Sequence, residues 1–211
     1  PESEEAYIYD FKKILHFHQT CFLINLRGKH TSVVLLSAPN GCFEIQKKQH
    51  TDQFSGFNDI ILSPESSKFC ICNKIYGHRE ACITEVKMSL PGRDFVCKPY
   101  YGNQNFEIET ACYLNADEIM LSSLDRSLQI INTSTENIHT QFLGYDAGIH
   151  DLFPVDENTL YTSSYDGTLH HLSRDWLTGK WHCVQSIPAH QNWVYQVKSF
   201  TIGETELLAS C

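Results

Sequence analysis

The residues of this chain that could do chemistry are few and scattered. His16-x-His18 lies in the run from Ile14 to Leu26 (ILHFHQTCFLINL), which reads as one strand. Alternate strand residues share a face, so two imidazoles there could grip an ion. His170-His171 would face opposite sides of a strand. Cys70-x-Cys72 puts two thiols on one face of FCIC, but no second pair follows, so that spacing fits core packing. No carboxylate or cysteine cluster completes either histidine pair at metal-ligand spacing. The chain has no GxSxG elbow, phosphate-binding loop, helix-opening GxGxxG or HExxH. No catalytic, metal-binding or cofactor-binding residue is expected.

Two carboxylates, Asp125 and Asp166, stand in a repeated context. The stretch from Ile108 (IETACYLNADEIMLSSLDRSLQIIN) recurs from Ile149 (IHDLFPVDENTLYTSSYDGTLHHLS), 41 positions on, since 149 − 108 = 41. The shift carries Ser122 onto Ser163, Ser123 onto Ser164, Asp125 onto Asp166 and Leu128 onto Leu169. A third copy opens at Val194 (VYQVKSFTIGETELLASC), its LLAS matching LYTS after a two-residue insertion. A period of about 40–45 residues with a small-small-x-Asp signature indicates four-stranded propeller blades.

The elements that must position these residues are strands. From Phe11 onward, short runs of Ile, Val, Leu, Phe, Tyr and Thr alternate with Gly, Asn, Asp, Ser and Pro clusters, and no 3.6-residue apolar period lasts three turns. Almost no helix is expected. Residues 1–10 form an acidic lead-in, residues 11–105 carry weakly patterned blades, and residues 106–211 carry the clear repeats, the last one stopping after two strands. The early strands are expected at Ile14 to Leu26, Ser32 to Ser37 and Gly41 to Gln46, with turns at Arg27-Gly28 and Pro39-Asn40. Asp59 to Ser63 and Lys68 to Asn73 flank a Pro64-Glu65-Ser66 turn and look like the start of another blade. Between Gly77 and Gly102 too few residues remain for a further blade, so a degenerate blade or missing residues are expected there.

On these residues the chain resembles WD-repeat β-propellers. That resemblance implies an all-β, WD40-like β-propeller with an incomplete set of four-stranded antiparallel blades. It also implies a polar relay: the turn Asp accepts from a loop His, the His reaches a strand Ser, and the Ser bonds a third-strand Trp. Ser123, Asp125, Ser164, Asp166, His190 and Ser210 are the turn and relay residues so implied. The chain departs from the pattern. Ile131 and Leu172 stand where Trp is expected, and Gly144-Tyr145 and Gly102-Asn103 stand where Gly-His is expected. No blade is therefore expected to assemble the whole relay from its own residues. Because a propeller avoids open sheet edges by closing its ring, the remaining blades are expected from the rest of a longer chain or from another polypeptide. The chain opens at Pro1 without a methionine, as a fragment, a processed product or a recombinant piece would.

Composition narrows the partners. Sixteen basic against 25 acidic residues leave a formal charge of −9, which disfavours direct nucleic-acid binding driven by phosphate neutralisation. Nine cysteines, an odd count with no CxxC, fit free thiols in a reducing compartment, the cytoplasm or nucleus. Asn132-Thr133-Ser134 matches a glycosylation acceptor, but the unpaired cysteines argue against the secretory route. No apolar run is long enough to span a bilayer, so no membrane association is expected.

The function expected is a non-catalytic scaffold that presents loops and rims to protein partners in a multi-subunit assembly. Trp176, Trp181, Trp193 and Tyr195 are the candidate partner-binding residues, because Trp and Tyr are enriched in binding hot spots; packing of the blade rim is the competing role. Two alternatives are carried forward. The run Leu177 to Cys211 is similar to a blade of the large eukaryotic WD-repeat subunit that partners a tRNA 2′-O-methyltransferase, through Thr178-Gly179-Lys180 and Val197-Lys198-Ser199-Phe200-Thr201. A regulatory subunit of such an RNA-modifying complex is the first. A propeller hydrolase with a loop-built active site is the second.

Overall fold

The computed structural model describes residues 7–16, 19–27, 32–37, 44–50, 57–63, 68–73, 83–88, 95–100 and 108–211, with side chains described at scattered positions between 61 and 100 and throughout 108–211. Strands β1 (Tyr7–His16), β2 (Gln19–Arg27), β3 (Ser32–Ser37) and β4 (Glu44–His50) pair in that order in one antiparallel sheet. Strands β5 (Phe57–Leu62), β6 (Lys68–Asn73), β7 (Ile83–Met88) and β8 (Phe95–Tyr100) form the next. The third holds β9 (Ile108–Tyr113), β10 (Glu118–Ser123), β11 (Ser127–Asn132) and β12 (Ile138–Phe142). The fourth holds β13 (Ile149–Asp156), β14 (Thr159–Ser164), β15 (Thr168–Arg174) and β16 (Trp181–Pro188), and β17 (Val197–Ile202) pairs with β18 (Thr205–Ser210) in a two-stranded sheet. No helix occurs among the described residues.

The chain divides into two compact units, Pro1–Tyr101 and Gly102–Cys211. In the first, β1 lies against β5. There β6 and β7 pair Lys68 with Lys87, and the Glu85 carboxylate between them offsets that like-charge pairing. Its oxygens lie 3.2 Å from Lys68 Nζ and 3.4 Å from Lys87 Nζ. In the second unit the first strands of successive sheets, β9, β13 and β17, lie side by side.

Blade-on-blade packing explains why the repeat strands lack simple alternation. β10 and β11 are buried on both faces, polar Ser122, Ser123, Ser127 and Gln129 included, so burial there does not alternate along the strand. Between the third and fourth sheets, Met120, Leu128 and Ile130 meet Ile149, Leu152, Leu160, Leu172 and Trp181 in one core. Leu172, standing where a Trp was expected, is fully buried there. Removing a side chain of this kind costs about 2–5 kcal/mol. A smaller core of Leu169, Val194 and Val197 joins the fourth sheet to β17–β18.

Three expectations change. Ile14 to Leu26 is not one strand, because His16 pairs with Gln19 and closes the β1–β2 hairpin. His16 thus ends one strand, and the other member of the expected histidine pair, residue 18, lies outside the described residues. The first strand also begins at Tyr7 rather than Ile14, and the fourth at Glu44 rather than Gly41. Finally, β7 and β8 are the outer half of the blade that β5 and β6 begin, so residues 57–100 make one blade. The segment holding Gly77-His78 connects β6 to β7. It lies outside the described residues, as do the turns at Gly28, Pro39-Asn40 and Pro64-Glu65-Ser66.

Candidate interaction surface

The 41-residue shift carries hydrogen bonds as well as residue types. Asp125 Oδ1 accepts from the Ser127 backbone N–H at 2.9 Å and from the Ser127 hydroxyl at 2.5 Å. Asp166 Oδ1 accepts from Thr168 N–H at 2.9 Å and from the Thr168 hydroxyl at 2.5 Å. The backbone N–H groups of Asp125 and Asp166 donate to Ser123 Oγ and Ser164 Oγ at 3.1 and 3.3 Å. These are Asx-type turn closures, and they occupy the carboxylates with structural work. Burial alone would raise the Asp166 carboxyl. The hydrogen bonds from Thr168 and Ser164 hold it below its ordinary value instead.

In the fourth sheet, Tyr145 and His170 add to the expected Ser164 and Asp166. Tyr145, standing where the loop His was expected, contacts the Thr162 hydroxyl through its own at 2.8 Å. Burial drives its phenol strongly upward, so it stays protonated. His170 on β15 lies beneath, its ring edge-on to Tyr145 at 4.4 Å. Its Nε2 is 2.6 Å from Thr168 Oγ1 and its Nδ1 is 2.9 Å from Ser186 Oγ. Thr168 has one hydroxyl proton and gives it to the Asp166 carboxylate, so its oxygen accepts from Nε2–H, and Nδ1 is left to accept from Ser186. Burial pulls His170 below its ordinary value despite Asp166 and Asp146, in keeping with that neutral tautomer. Sequence reasoning missed His170; the signal was Thr168-x-His170, two hydrogen-bonding residues on one strand face. In the last copy His190 Nε2 contacts Ser210 Oγ at 2.9 Å, a loop-to-strand link.

The four aromatic candidates do not form one patch. Trp181 is 3% exposed and belongs to the core between the third and fourth sheets. Trp176 is 84% exposed in the β15–β16 turn, at the far end of the sheet from Asp166. Trp193 and Tyr195 are 53% and 50% exposed and lie in the loop from β16 to β17, on the Asp166 end. There they join Tyr165 and His150 in a closed cycle of edge-on rings. The centroid distances are 5.2 Å (Tyr165–Trp193), 6.2 Å (Trp193–Tyr195), 5.0 Å (His150–Tyr195) and 5.1 Å (His150–Tyr165).

Strand irregularities and backbone bonds build this cluster. His150 is the extra residue of a bulge, since Ile149 pairs with Ser164 and Asp151 with Ser163. A bulge re-aims the side chain it carries. The Tyr165 hydroxyl donates to Glu109 Oε2 at 3.1 Å, tying the cluster to β9. The loop is pinned at Val194, whose N–H donates to Ser164 O at 3.1 Å, and at Tyr195, whose N–H donates to Cys211 O at 2.7 Å. It also crosses Gly167 so closely that a Cβ there would stand 2.4 Å from His190 O. Among the described residues no group of three or more His, Cys, Asp or Glu could hold a metal.

The sheet order and the turn chemistry define the class: a WD40-like β-propeller fold. Among solved structures, U3-55K, a WD40 β-propeller protein, matches 92% of this chain with a TM-score of 0.66 at 13% identity. The match takes in 55% of U3-55K, so this chain spans about half the length of that structure. Matching solved chains number 841, and a fold so widely shared defines architecture without selecting a function. No family model matches the chain, and no curated protein matches its sequence. No helix among the described residues is long and apolar enough to cross a membrane.

Proposed function

We propose that this chain is a non-catalytic scaffold that docks protein partners at the Asp166 end of its second unit. The observation that carries the reading is the four-ring cluster. Trp193 and Tyr195 offer large half-exposed rings from a backbone-pinned loop, so little side-chain order is lost on binding. Affinity purification of the full-length protein with mass spectrometry tests it. The double variant Trp193→Ala/Tyr195→Ala should lose partners that the parent retains, with little change in melting temperature. An unchanged partner set, or substrate turnover by the purified protein alone, refutes the reading. The odd count of nine cysteines and the free thiols of Cys183 and Cys211 support a reducing compartment, the cytoplasm or nucleus.

The narrower form makes the chain a regulatory subunit of a tRNA 2′-O-methyltransferase complex. Its support is the Leu177 to Cys211 resemblance. Thr178-Gly179-Lys180 there forms the turn that closes on Asp175 Oδ1, which accepts from Leu177 and Thr178. Depletion should then lower tRNA 2′-O-methylation; unchanged methylation removes this form and leaves the scaffold reading intact.

One observation favours a hydrolase: Ser186 Oγ sits 2.9 Å from His170 Nδ1, while Thr168 and Asp166 hold the opposite ring nitrogen. That is the nucleophile–base–orienter order with a threonine inserted. Covalent labelling by a fluorophosphonate, abolished in Ser186→Ala, would support it. Absence of labelling in the folded parent protein would remove it.

A further inference from the structure

The two copies of the Asp turn differ at one position in a way that opens a cleft. Gly167 in the fourth sheet has φ +88°, and the loop after β16 closes over it. Ala189 and His190 N–H donate to Gly167 O at 3.1 and 3.0 Å. Subtracting 41 from 167 gives 126, and Arg126 holds the same left-handed backbone at φ +73°. A guanidinium-bearing residue in that region is strained, because its Cβ crowds the next carbonyl oxygen. The loop from β12 to β13 is also two residues shorter, residues 143–148 against 189–196. No backbone hydrogen bond joins residues 143–147 to residues 124–126. The loop comes close at Gly148, where a Cβ would meet Leu124 Cα at 2.9 Å, and stands clear at Gly144, where a Cβ would meet nothing within 4 Å. What remains is an open cleft of about 530 Å³, lined by Leu124, Asp125, Arg126, Phe142, Gly144 and Tyr145.

The chemistry of the lining selects an occupant. Phe142 is 69% exposed and Leu124 also faces solvent, so one wall is apolar. Arg126 is exposed and its guanidinium has no ion pair or hydrogen bond among the described residues, although its backbone N–H closes the turn on Ser123 O. Asp125 stands beside it with Oδ1 committed to Ser127, and Asp146 follows Tyr145 in the loop. One cation among carboxylates, on a chain of charge −9, suits a single carboxylate better than a dianionic phosphate or a polyanion.

We propose that the Arg126 cleft docks a protein segment carrying an Asp or Glu beside a Leu or Phe, the carboxylate on the guanidinium and the apolar side chain on Phe142 and Leu124. This rests on the scaffold reading and deepens it, while using residues separate from Trp193 and Tyr195. The strained Arg126 backbone then has a purpose, since it holds the guanidinium over the opening.

A phage-displayed dodecapeptide library, selected on the immobilised full-length protein, tests the proposal. The peptides recovered should be enriched in an acidic residue next to Leu or Phe. Their synthetic, fluorescein-labelled versions should bind Arg126→Gly roughly tenfold or more weakly. Arg126→Gly is the informative variant because glycine is at ease at this φ, so the protein folds at least as well and the loss cannot be blamed on misfolding. Trp193→Ala should keep the peptides. Equal binding by Arg126→Gly, or selection of peptides without the acidic–apolar pair, overturns the proposal. So does binding of a uridine oligonucleotide that Arg126→Gly abolishes while acidic peptides do not bind. If Trp193→Ala still loses cellular partners in any of these cases, the scaffold reading stands and only the cleft is wrong.

Discussion

Replacing Gly167 with alanine should loosen the loop that carries Trp193, and the size of the effect follows from the geometry. At φ +88° an alanine pays about 1 kcal/mol for its Cβ. That Cβ would lie 2.4 Å from His190 O and 3.1 Å from Asn192 O, both backbone atoms that cannot rotate away. Reaching ordinary van der Waals separation needs a shift of about 1 Å. The shift strains three backbone hydrogen bonds, from Ala189 and His190 to Gly167 O and from Val194 to Ser164 O. Each contributes about 1 kcal/mol net, so the total cost is about 2–4 kcal/mol. For a chain of this size that lowers the melting temperature by about 5–15 °C. Circular dichroism gives the melt, and tryptophan fluorescence reports the loop through Trp193. Arg126→Gly, at the equivalent position, should be neutral or slightly stabilising. A Gly167→Ala protein melting within about 2 °C of the parent would refute the close-approach argument.

Two further outcomes concern buried charge. Arg174 grips Glu118 with two bonds, at 2.6 and 3.0 Å, joining β15 to β10, and that grip is the main reason the Glu118 carboxyl lies below its ordinary 4.5. A carboxylate with a lowered folded value contributes stability above pH 4.5 that is lost as pH falls through the folded value. Glu118→Gln should therefore cost about 1–3 kcal/mol at neutral pH in urea titrations, and the gap should narrow toward pH 3. A gap independent of pH counts against the ion pair as its source. His170, also lowered from 6.5, mainly by burial, makes stability fall as pH drops below 6.5, because the unfolded chain takes up the proton first. His170→Gln should flatten the slope of stability between about pH 7 and 5; an unchanged slope means that other histidines set it.

Much of the fold was legible in the residues. The Ser-x-Asp spacing, repeated at 41, located two turns whose hydrogen bonds coincide atom for atom, Asp125 with Ser127 and Asp166 with Thr168. The loss of the loop His and third-strand Trp was visible too, but their replacements were not. Tyr145 reaches Thr162 across 17 residues, and His170 reaches Ser186 across 16. The four candidate aromatics looked equivalent beside their turns, yet Trp181 is core, Trp176 is at the opposite end, and Trp193 and Tyr195 share a cluster with His150.

The sequence by itself determined the strands, the period and the Asp turns, because these depend on residues within a few positions of one another. Turn chemistry acts over two residues, and strand pairing in a meander acts between neighbours. Only the tertiary structure decided which aromatic rings are covered, where the strand bulge points His150, and that a loop closes over Gly167 but leaves a cleft beside Arg126. Those outcomes depend on one sheet packing on the next. The contacts that express that packing, such as Tyr165 with Glu109 and Arg174 with Glu118, are 56 residues apart. No local pattern specifies a pairing at that distance; the shape and volume of the side chains between the sheets do.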